Sequence, residues 1–432
     1  MFLQLVAAGV PGMAWTAAAA GKRTSVRDCL WAWAHDTRAY HGPAWGLPDN
    51  SALTPVEGAR LLGVPNIIFI RYQGNPEPPF DAYYAPFKSM RRVFWSITGA
   101  GGATSDEERE QVLRLAEANP NITGVFMDDF FQFSAADKPQ WLAENNVQFP
   151  VTLTVTLPVA QAADALELAQ SDWDTGDYRS REVVVDVTGD GVQWSRAGAG
   201  YLANQPGAPL RIAMPQTPVK AFRLRILGTH DTKDARSCGL SRVRLMCRER
   251  EVPLSDAKAE ASSTYPGHDP ANILADAPSG PAAASLSVEQ LKTVRKRLEN
   301  VAGRKLDLGV TLYMHQLDPR IVFHLDLCDM VSLWTWKAED LKDLETNFER
   351  FNRLAPKKRI LLGCYMWDFG TNRPMPVENM RRQCELGLRW LKQGRVEGLI
   401  FLATNICDLG LETVEWTREW IARVGETQLP AL

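Results

Sequence analysis

Residues 122–131 read ITGVFMDDFF, an apolar run of strand-forming residues that ends in two adjacent carboxylates, Asp128 and Asp129. Short apolar runs rich in β-branched and aromatic residues are typical of strands that are covered on both faces. Two neighbouring carboxylates in apolar surroundings cost free energy unless water, a metal ion, hydrogen bonds or a substrate stabilises them. The stretch therefore predicts a buried strand with a functional site at its carboxyl end.

Seven further segments have the same texture and alternate with helical patterns. They are CLWAWAHD (29–36), NIIFIRYQG (66–74), RVFWSITG (92–99), DLGVTLYMHQLD (307–318), CDMVSLWTW (328–336), RILLGCYMWD (359–368) and VEGLIFLATN (396–405). Several of the helical patterns begin with good caps, such as Thr54-Pro55 and Ser105-Asp106. Eight strands in strict alternation with eight helices predict an α/β fold, the (β/α)8 TIM barrel.

One interruption of different texture separates the fourth and fifth strands. Residues 137–281 contain short segments that alternate in period two with turn residues between them, which predicts an inserted antiparallel β-sandwich. The barrel then consists of residues 23–136, with strands one to four, and residues 282–432, with strands five to eight.

The inserted segment resembles the discoidin, or coagulation-factor F5/8 type C, domain, which has a galactose-binding-like fold. The stretches that carry the resemblance are DALELAQSDWDTGDYRSREVVVDVTGDGVQW (164–194), KAFRLRILGTHDT (220–232) and CGLSRVRLM (238–246). AKAEASSTYPGHDPANILADA (257–277) is similar to the strand that opens such a domain, yet it comes last here. The resemblance therefore implies a circularly permuted sandwich whose two ends meet at one barrel loop.

Composition excludes some classes of function. The chain has 432 residues, enough for a large and a smaller domain, with 45% hydrophobic and 23% charged residues. A formal net charge of -3 and the absence of a basic stripe give no reason to expect a nucleic-acid partner. The 14 tryptophans are a high count, and tryptophan is a common platform for sugar rings.

The N-terminus is typical of an export signal. Residues 1–22 combine an apolar stretch with small residues around Ala17–Ala20, although a basic start is missing. The prediction is a secreted or periplasmic protein; a buried first helix or a misassigned start is the alternative. No later stretch reaches the ~18–20 apolar residues of a membrane span. The seven cysteines show no metal-ligand spacing, and buried free thiols are expected, although Cys238 and Cys247 could pair in an exported protein.

Polar and aromatic residues follow the strands at their carboxyl ends, where a barrel of this type has its active site. The candidates for catalysis are Asp128, Asp129 and Asp368, and the candidates for substrate binding are Trp33, His35, Asp36, Arg71, Tyr313, His315, Trp334, Trp336, Lys337, Tyr365, Trp367 and Asn405. Because side chains alternate along a strand, Asp128 and Asp129 are expected to point different ways, one of them into the central cavity.

This layout resembles that of barrel glycoside hydrolases, which cleave a glycosidic bond with two carboxyl groups. In their large retaining groups the acid follows strand four and the nucleophile follows strand seven, which implies Asp128 or Asp129 together with Asp368. Those groups use glutamate at both positions and an Asn-Glu pair, neither of which occurs here, so retention and inversion both stay open. The resemblance implies a carbohydrate substrate and no cofactor.

Three alternatives compete with this interpretation. His35, Asp36, Asp128 and His315 could form a divalent-metal site of a hydrolase or lyase, although the HxH spacing of amidohydrolases is missing. Lys337 could be a Schiff-base lysine of an aldolase, or simply a residue at a helix entry. The third alternative is a carbohydrate-binding protein whose barrel has lost catalysis.

Overall fold

The computed structural model describes residues 24–133, 139–173, 176–231, 236–274 and 281–430. The predicted export signal, residues 1–22, lies outside the described residues, as does the predicted start of the insertion at residue 137. Among the described residues, no helix combines the length and the apolar character needed to cross a membrane. All seven cysteines are free thiols, including Cys238 and Cys247.

Eight parallel strands close into a barrel in which each strand pairs with its neighbours in the chain and the eighth pairs with the first. Barrel strands one to eight are Leu30–Ala34, Asn66–Phe69, Arg92–Thr98, Ile122–Met127, Asp307–Tyr313, Met330–Trp334, Arg359–Tyr365 and Gly398–Leu402. Nearly every residue in them is buried, as their continuous apolar character predicts. The predicted eight-stranded parallel barrel is confirmed.

One α-helix follows each barrel strand in the described part of the chain. These helices are Pro55–Leu62, Asp81–Tyr84, Asp106–Ala118, Val288–Leu298, Val322–Leu325, Leu344–Leu354, Val377–Lys392 and Glu412–Val424. The first begins with a capping box in which Thr54 and Glu57 satisfy each other's backbone N–H groups, with proline at the first helical position. Short 3-10 segments precede or extend several helices, among them Ala338–Asp343 after strand six.

The segment between strands four and five forms an antiparallel sheet. Its strands are Trp141–Leu142, Val151–Gln170, Glu182–Thr188, Ser195–Tyr201, Pro209–Ile226, Gly239–Cys247, Arg250–Val252 and Lys258–Ala261. The sheet has its own cluster of buried side chains, separate from the barrel cluster. The predicted period-two strands are therefore present, as one continuous hydrogen-bonded antiparallel sheet.

Two strands of this sheet are longer than the sequence pattern predicts. Val151–Gln170 and Pro209–Ile226 contain Pro158 and Pro218, although proline removes a ladder hydrogen bond. The register between the two strands shifts between Thr156 and Gln161. The irregularity accommodates the prolines without separating the strands.

Candidate active site

The carboxyl ends of the barrel strands surround one cavity of about 90 Å³. Because the strands are parallel, their carboxyl ends all lie at the same rim of the barrel. Eight of the predicted site residues line this cavity: Trp33, His35, Asp128, Asp129, Tyr313, Trp334, Trp336 and Tyr365. The shared opening that the sequence predicts for groups far apart in the chain is therefore present.

Asp128 is buried and is held by a chain of hydrogen bonds that crosses three strands. The Thr311 hydroxyl donates to Asp128 Oδ1 at 2.9 Å, and the Ser332 hydroxyl lies 3.5 Å from Thr311 Oγ1. The indole Nε1 of Trp334 donates to Ser332 Oγ at 2.8 Å. Gly363 on strand seven leaves room for the Trp334 ring, since a Cβ there would overlap it. This series of hydrogen bonds fixes the position of Asp128 Oδ1.

The surroundings of Asp128 favour its protonated form. Burial raises the pKa of its carboxyl well above the ordinary value, and the negative charge of Asp129 raises it further. The hydrogen bond from Thr311 acts in the opposite direction, because it stabilises the charged carboxylate. Asp128 can therefore carry a proton at a pH at which an exposed aspartic acid has lost it.

Asp129 lies beyond the end of strand four and has a φ of +42°, a conformation that aspartate adopts more readily than most residues. Its Oδ1 accepts a hydrogen bond of 2.7 Å from the Tyr313 hydroxyl, and its Oδ2 accepts one of 2.8 Å from the backbone N–H of Gly101. Both Asp128 and Asp129 line the cavity, whereas the alternation along a strand predicted that only one of them would face it. The strand alternation ends at Met127, and the left-handed turn at Asp129 brings both carboxyl groups to the cavity.

His35 forms a wall of the cavity with both ring nitrogens occupied. The Trp33 indole can only donate, so His35 Nε2 accepts its hydrogen bond of 3.1 Å, and Nδ1 donates to the Ile70 carbonyl at 3.0 Å. Burial lowers the pKa of His35 to about 4, so the ring is neutral at pH 7. The ring therefore positions the aromatic wall and has no nitrogen left for a ligand.

Asp368 does not line the cavity. Its carboxylate accepts hydrogen bonds from the N–H groups of Gly370 and Thr371, at 3.1 and 3.2 Å, and from the Thr371 hydroxyl at 2.7 Å. Trp367 and Asp368 form a short ribbon with residues 373–374 after strand seven has ended at Tyr365. The carboxylate of Asp368 thus holds the turn of the ribbon and lies outside the lining of the cavity to which Asp128 and Asp129 belong.

Other predicted residues support the loops around the rim. Arg71 forms an ion pair of 2.6 Å with Glu108 and donates to two carbonyls of the loop after strand two. Asp36 accepts a hydrogen bond of 3.1 Å from the Tyr83 hydroxyl. Asn405 donates to the Asp36 carbonyl at 3.5 Å. Trp367, the remaining residue of this group, donates its indole N–H to the Trp45 carbonyl at 3.0 Å.

His315 and Lys337 border a neighbouring cleft of about 550 Å³. The ring of His315 stacks parallel to that of Tyr313, with centroids 5.6 Å apart, and Tyr313 faces the cavity. Trp336 borders the cavity and the cleft. The predicted substrate contacts are thus divided between two adjoining spaces.

Five polar or aromatic residues of the cavity are not among the predicted site residues: Tyr40, Trp45, Tyr72, Thr311 and Phe369. Thr311 lies two residues before Tyr313 on the same strand, so the period of two would have placed both on one face. Tyr40 and Trp45 belong to the loop after strand one, and Phe369 belongs to the ribbon after strand seven. These loops carry no periodic pattern that predicts their direction.

The four residues of the predicted metal site are not brought together. His35 and Asp128 line the cavity, whereas Asp36 and His315 do not. Across the described ranges, no group of three or more His, Cys, Asp or Glu side chains is arranged to hold a metal ion. The cavity instead combines a carboxyl group of raised pKa with a second carboxyl group and an aromatic wall.

No protein-family model and no curated protein matches the chain. Solved structures similar to part of it include a family 32 carbohydrate-binding module from a family 31 glycoside hydrolase of Clostridium perfringens, with 13% identity and a TM-score of 0.22, covering 24% of this chain and 72% of that one. The F5/8 type C domain of a Bacteroides fragilis protein gives 19% identity, a TM-score of 0.21 and coverages of 24% and 71%. The family 32 carbohydrate-binding module of Streptococcus pneumoniae EndoD has 8% identity and a TM-score of 0.22, and the match covers 26% of this chain and 78% of that one.

Proposed function

We propose that the protein is a glycoside hydrolase whose (β/α)8 barrel cleaves a glycosidic bond at Asp128 and Asp129. The observation that carries the proposal is a buried carboxyl group of raised pKa beside a second carboxylate, in one aromatic-lined cavity at the carboxyl ends of the strands. Glycoside hydrolysis needs this pair of roles, a carboxylic acid that still holds its proton and a carboxylate.

Asp128 is the general acid in this proposal. Thr311 holds Oδ1, so Oδ2 carries the proton to the glycosidic oxygen. As the bond between that oxygen and the anomeric carbon breaks, the leaving alcohol takes the proton and Asp128 becomes charged. The negative charge of Asp129 and burial both favour the protonated starting state.

Asp129 supplies the second carboxylate. The Tyr313 hydroxyl and the Gly101 N–H each donate one hydrogen bond to it, and a carboxylate has about four lone-pair sites, so it retains free ones. Asp129 stabilises the positive charge that develops on the sugar ring. In a retaining reaction it attacks the anomeric carbon, and water that gives its proton to the now charged Asp128 then displaces Asp129 from the sugar. In an inverting reaction Asp129 instead takes a proton from the water that attacks the anomeric carbon.

The aromatic wall suits a sugar ring and keeps water away from Asp128. Trp33 and Trp334 are almost fully buried, whereas Trp336 is partly exposed. Trp336 is therefore the proposed stacking platform, and the buried tryptophans shape the cavity. The same wall would also serve a carbohydrate-binding protein without catalysis, which is the second candidate function.

We further propose that residues 137–281 form a galactose-binding-like sandwich inserted into the barrel, in an exported protein. The proposal draws support from the pairing of Lys258–Ala261 with residues 153–156, and from the N–H of Tyr265, which donates to the Leu142 carbonyl at 2.7 Å. These contacts bring the beginning and the end of the insertion side by side. Secretion in the native host, followed by N-terminal sequencing, would test the export signal.

The experiment that tests the hydrolase proposal is turnover of a panel of nitrophenyl glycosides and neutral oligosaccharides by the purified full chain. We expect hydrolysis of at least one substrate, and a loss of about 10²–10⁴-fold in kcat/KM for an oligosaccharide in Asp128→Asn. Proton NMR of the anomer released first then separates retention from inversion. Binding without turnover would support the second candidate, and loss of turnover on chelation would support a metal-dependent enzyme.

A further inference from the structure

A cleft of about 550 Å³ lies beside the catalytic cavity, between the antiparallel sheet and the barrel. We call it the lateral cleft. One side of the cleft consists of Asp172, Arg179 and residues 205–209. The other side consists of residues that follow strands five and six and of residues on the helix Leu344–Leu354. The barrel and the segment inserted after strand four thus form its two walls.

An ion pair links the two walls, and further hydrogen bonds hold its surroundings within each wall. Arg350 on the barrel side donates to Asp172 Oδ1 at 3.0 Å and to the Leu317 carbonyl at 3.2 Å. On the other wall, Arg179 donates to the backbone and side-chain oxygens of Asn204, at 3.2 and 3.1 Å. The Asp172–Arg350 pair thus joins the inserted segment to the barrel at the lateral cleft.

Trp336 joins the lateral cleft to the catalytic cavity. It borders both, and its ring is edge-on to Tyr313 and to Tyr365, with centroids 5.7 Å away in each case. The stacked rings of Tyr313 and His315 form a second shared wall, since Tyr313 lines the cavity and His315 lines the cleft. A molecule that passes Trp336 would occupy both spaces.

The volumes of the cavity and of the lateral cleft suit them to different parts of a substrate. Pockets that enclose a ligand generally measure about 300–1,000 Å³. The cavity, at about 90 Å³, lies below that range, and the lateral cleft, at about 550 Å³, lies within it. The cavity can thus enclose the reacting end of a substrate, while the cleft has room for its continuation.

The lining of the lateral cleft suits an uncharged, hydroxyl-rich ligand. Its charged residues nearly balance, with Arg179, Lys337, Arg350 and Arg353 against Asp172, Asp340 and Asp343. The same lining contains Gln205, Thr346 and Asn347, whose neutral side chains can donate to and accept from sugar hydroxyls.

We propose that the lateral cleft binds the sugar units of an uncharged oligosaccharide that extend past the bond cleaved at Asp128, with Trp336 as the platform between the two spaces. This inference rests on the proposed glycoside hydrolase function and adds its substrate class, an extended neutral chain rather than a single glycoside. It also gives the inserted segment a role, because that segment supplies one wall of the subsite.

Binding measured without turnover tests the cleft separately from catalysis. The probes are mono- to pentasaccharides of neutral cello-, chito- and galacto-series, titrated by calorimetry into the full chain carrying Asp128→Asn. We expect the pentasaccharide of one series to bind at least about tenfold tighter than its monosaccharide. Thr346→Trp is then added, which places an indole in the cleft from the exposed helix surface. In this variant the affinities for the pentasaccharide and the monosaccharide should lie within about twofold of each other.

Thr293→Trp is the matched control, because Thr293 is also an exposed threonine on a barrel helix but lies outside the lateral cleft. Thr293→Trp should leave unchanged the dependence of the affinity on the number of sugar units. Equal affinity for short and long sugars, no binding of any series, or an unaltered length dependence in folded Thr346→Trp would each overturn the proposal. If the wild-type protein binds longer sugars more tightly but hydrolyses no glycoside, the proposed hydrolase function is overturned. The proposed binding role of the lateral cleft is then kept.

Discussion

Thr311 donates a hydrogen bond of 2.9 Å to Asp128, across 183 positions of the chain and from one barrel strand to the end of the next. Ser332 and Trp334 on strand six extend this link, so that three adjacent strands orient one carboxyl group. Such support matters for a proton donor, because an acid works only when its proton-bearing oxygen faces the substrate. Thr311 also opposes the effect of burial on the pKa of Asp128.

Replacing Thr311 by valine should therefore shift the pH profile of hydrolysis. The Thr311 hydroxyl stabilises the charged form of Asp128, so its removal raises the pKa of this carboxyl further. A general acid must hold its proton, and activity falls as the pH rises through its pKa. The basic limb of kcat/KM should thus move upward by about one pH unit.

The control for Thr311→Val is Thr404→Val. Thr404 is also buried at a strand end, but its hydroxyl has no hydrogen-bond partner within the described residues. The two variants have the same change of shape, and only the first removes a bond to Asp128. A basic limb that stays in place in Thr311→Val, or moves equally in both variants, would argue against Asp128 as the acid.

Asp128→Asn should stabilise the folded protein while it removes activity. In the pH range between the ordinary pKa of aspartic acid and the raised pKa of Asp128, the folded chain keeps a proton that the unfolded chain releases. Stability therefore falls as the pH rises through this window, by about 1.4 kcal/mol for each pH unit by which the pKa is raised. Asparagine has no such dependence, so the melting temperature of the variant should exceed that of wild type at pH 8 and match it near pH 4.

Asp190→Asn provides the opposite case. Backbone N–H groups of Val192 and Gln193 hold the pKa of the exposed Asp190 below its usual value, so its charged form is the favoured one. Removing that charge should not raise the melting temperature at pH 8. A gain in stability in both variants would mean that the effect does not come from the burial of Asp128.

The barrel could be predicted from the sequence because each strand is a short apolar run with no competing pattern. The long sheet strands could not, since Pro158 and Pro218 indicate breaks that the shifted pairing of two neighbouring strands absorbs. The sequence also predicts which polar and aromatic residues stand at the strand ends, and eight of the proposed site residues line one cavity. It does not predict where each of these side chains points, because that depends on how the backbone leaves each strand.

Asp129 and Asp368 illustrate this limit. The sequence places each directly after an apolar strand. A positive φ turns Asp129 into the cavity beside Asp128, whereas the ribbon after Tyr365 turns Asp368 into a hydrogen-bonded loop. No glycine or proline stands within two residues of Asp129, and Gly370 after Asp368 signals a turn without indicating where the carboxylate points. Backbone conformation beyond the last paired residue therefore decides which carboxyl groups meet.

Substitution of the two residues distinguishes the carboxylate pairs. Asp129→Asn should lower kcat/KM by about 10²–10⁴-fold, because it removes the proposed second carboxylate. Asp368→Asn keeps an oxygen that accepts from Gly370 and Thr371, so it should cost less than about tenfold. Both values are measured on the same oligosaccharide. An equally severe loss in a folded Asp368→Asn would restore the pairing of strands four and seven that the sequence suggested.

His35 should make the folded protein sensitive to acid. Burial holds its pKa at about 4, against an ordinary value of 6.5, so the unfolded chain takes up a proton below pH 6.5 that the folded chain refuses. Stability contributed by the neutral ring is therefore lost as the pH falls from 6.5 toward 4, by about 3 kcal/mol in all. His35→Gln can still accept from the Trp33 indole and donate to the Ile70 carbonyl without titrating.

The measurement compares the melting temperatures at pH 7.5 and 4.5 in the Asp128→Asn background, because that substitution removes the opposite pH dependence of Asp128. The melting temperature should drop less in the His35→Gln variant than in the chain that keeps His35. His41→Gln, at an exposed histidine, should keep the full drop, and an equal drop in both would mean that His35 is protonated in the folded protein.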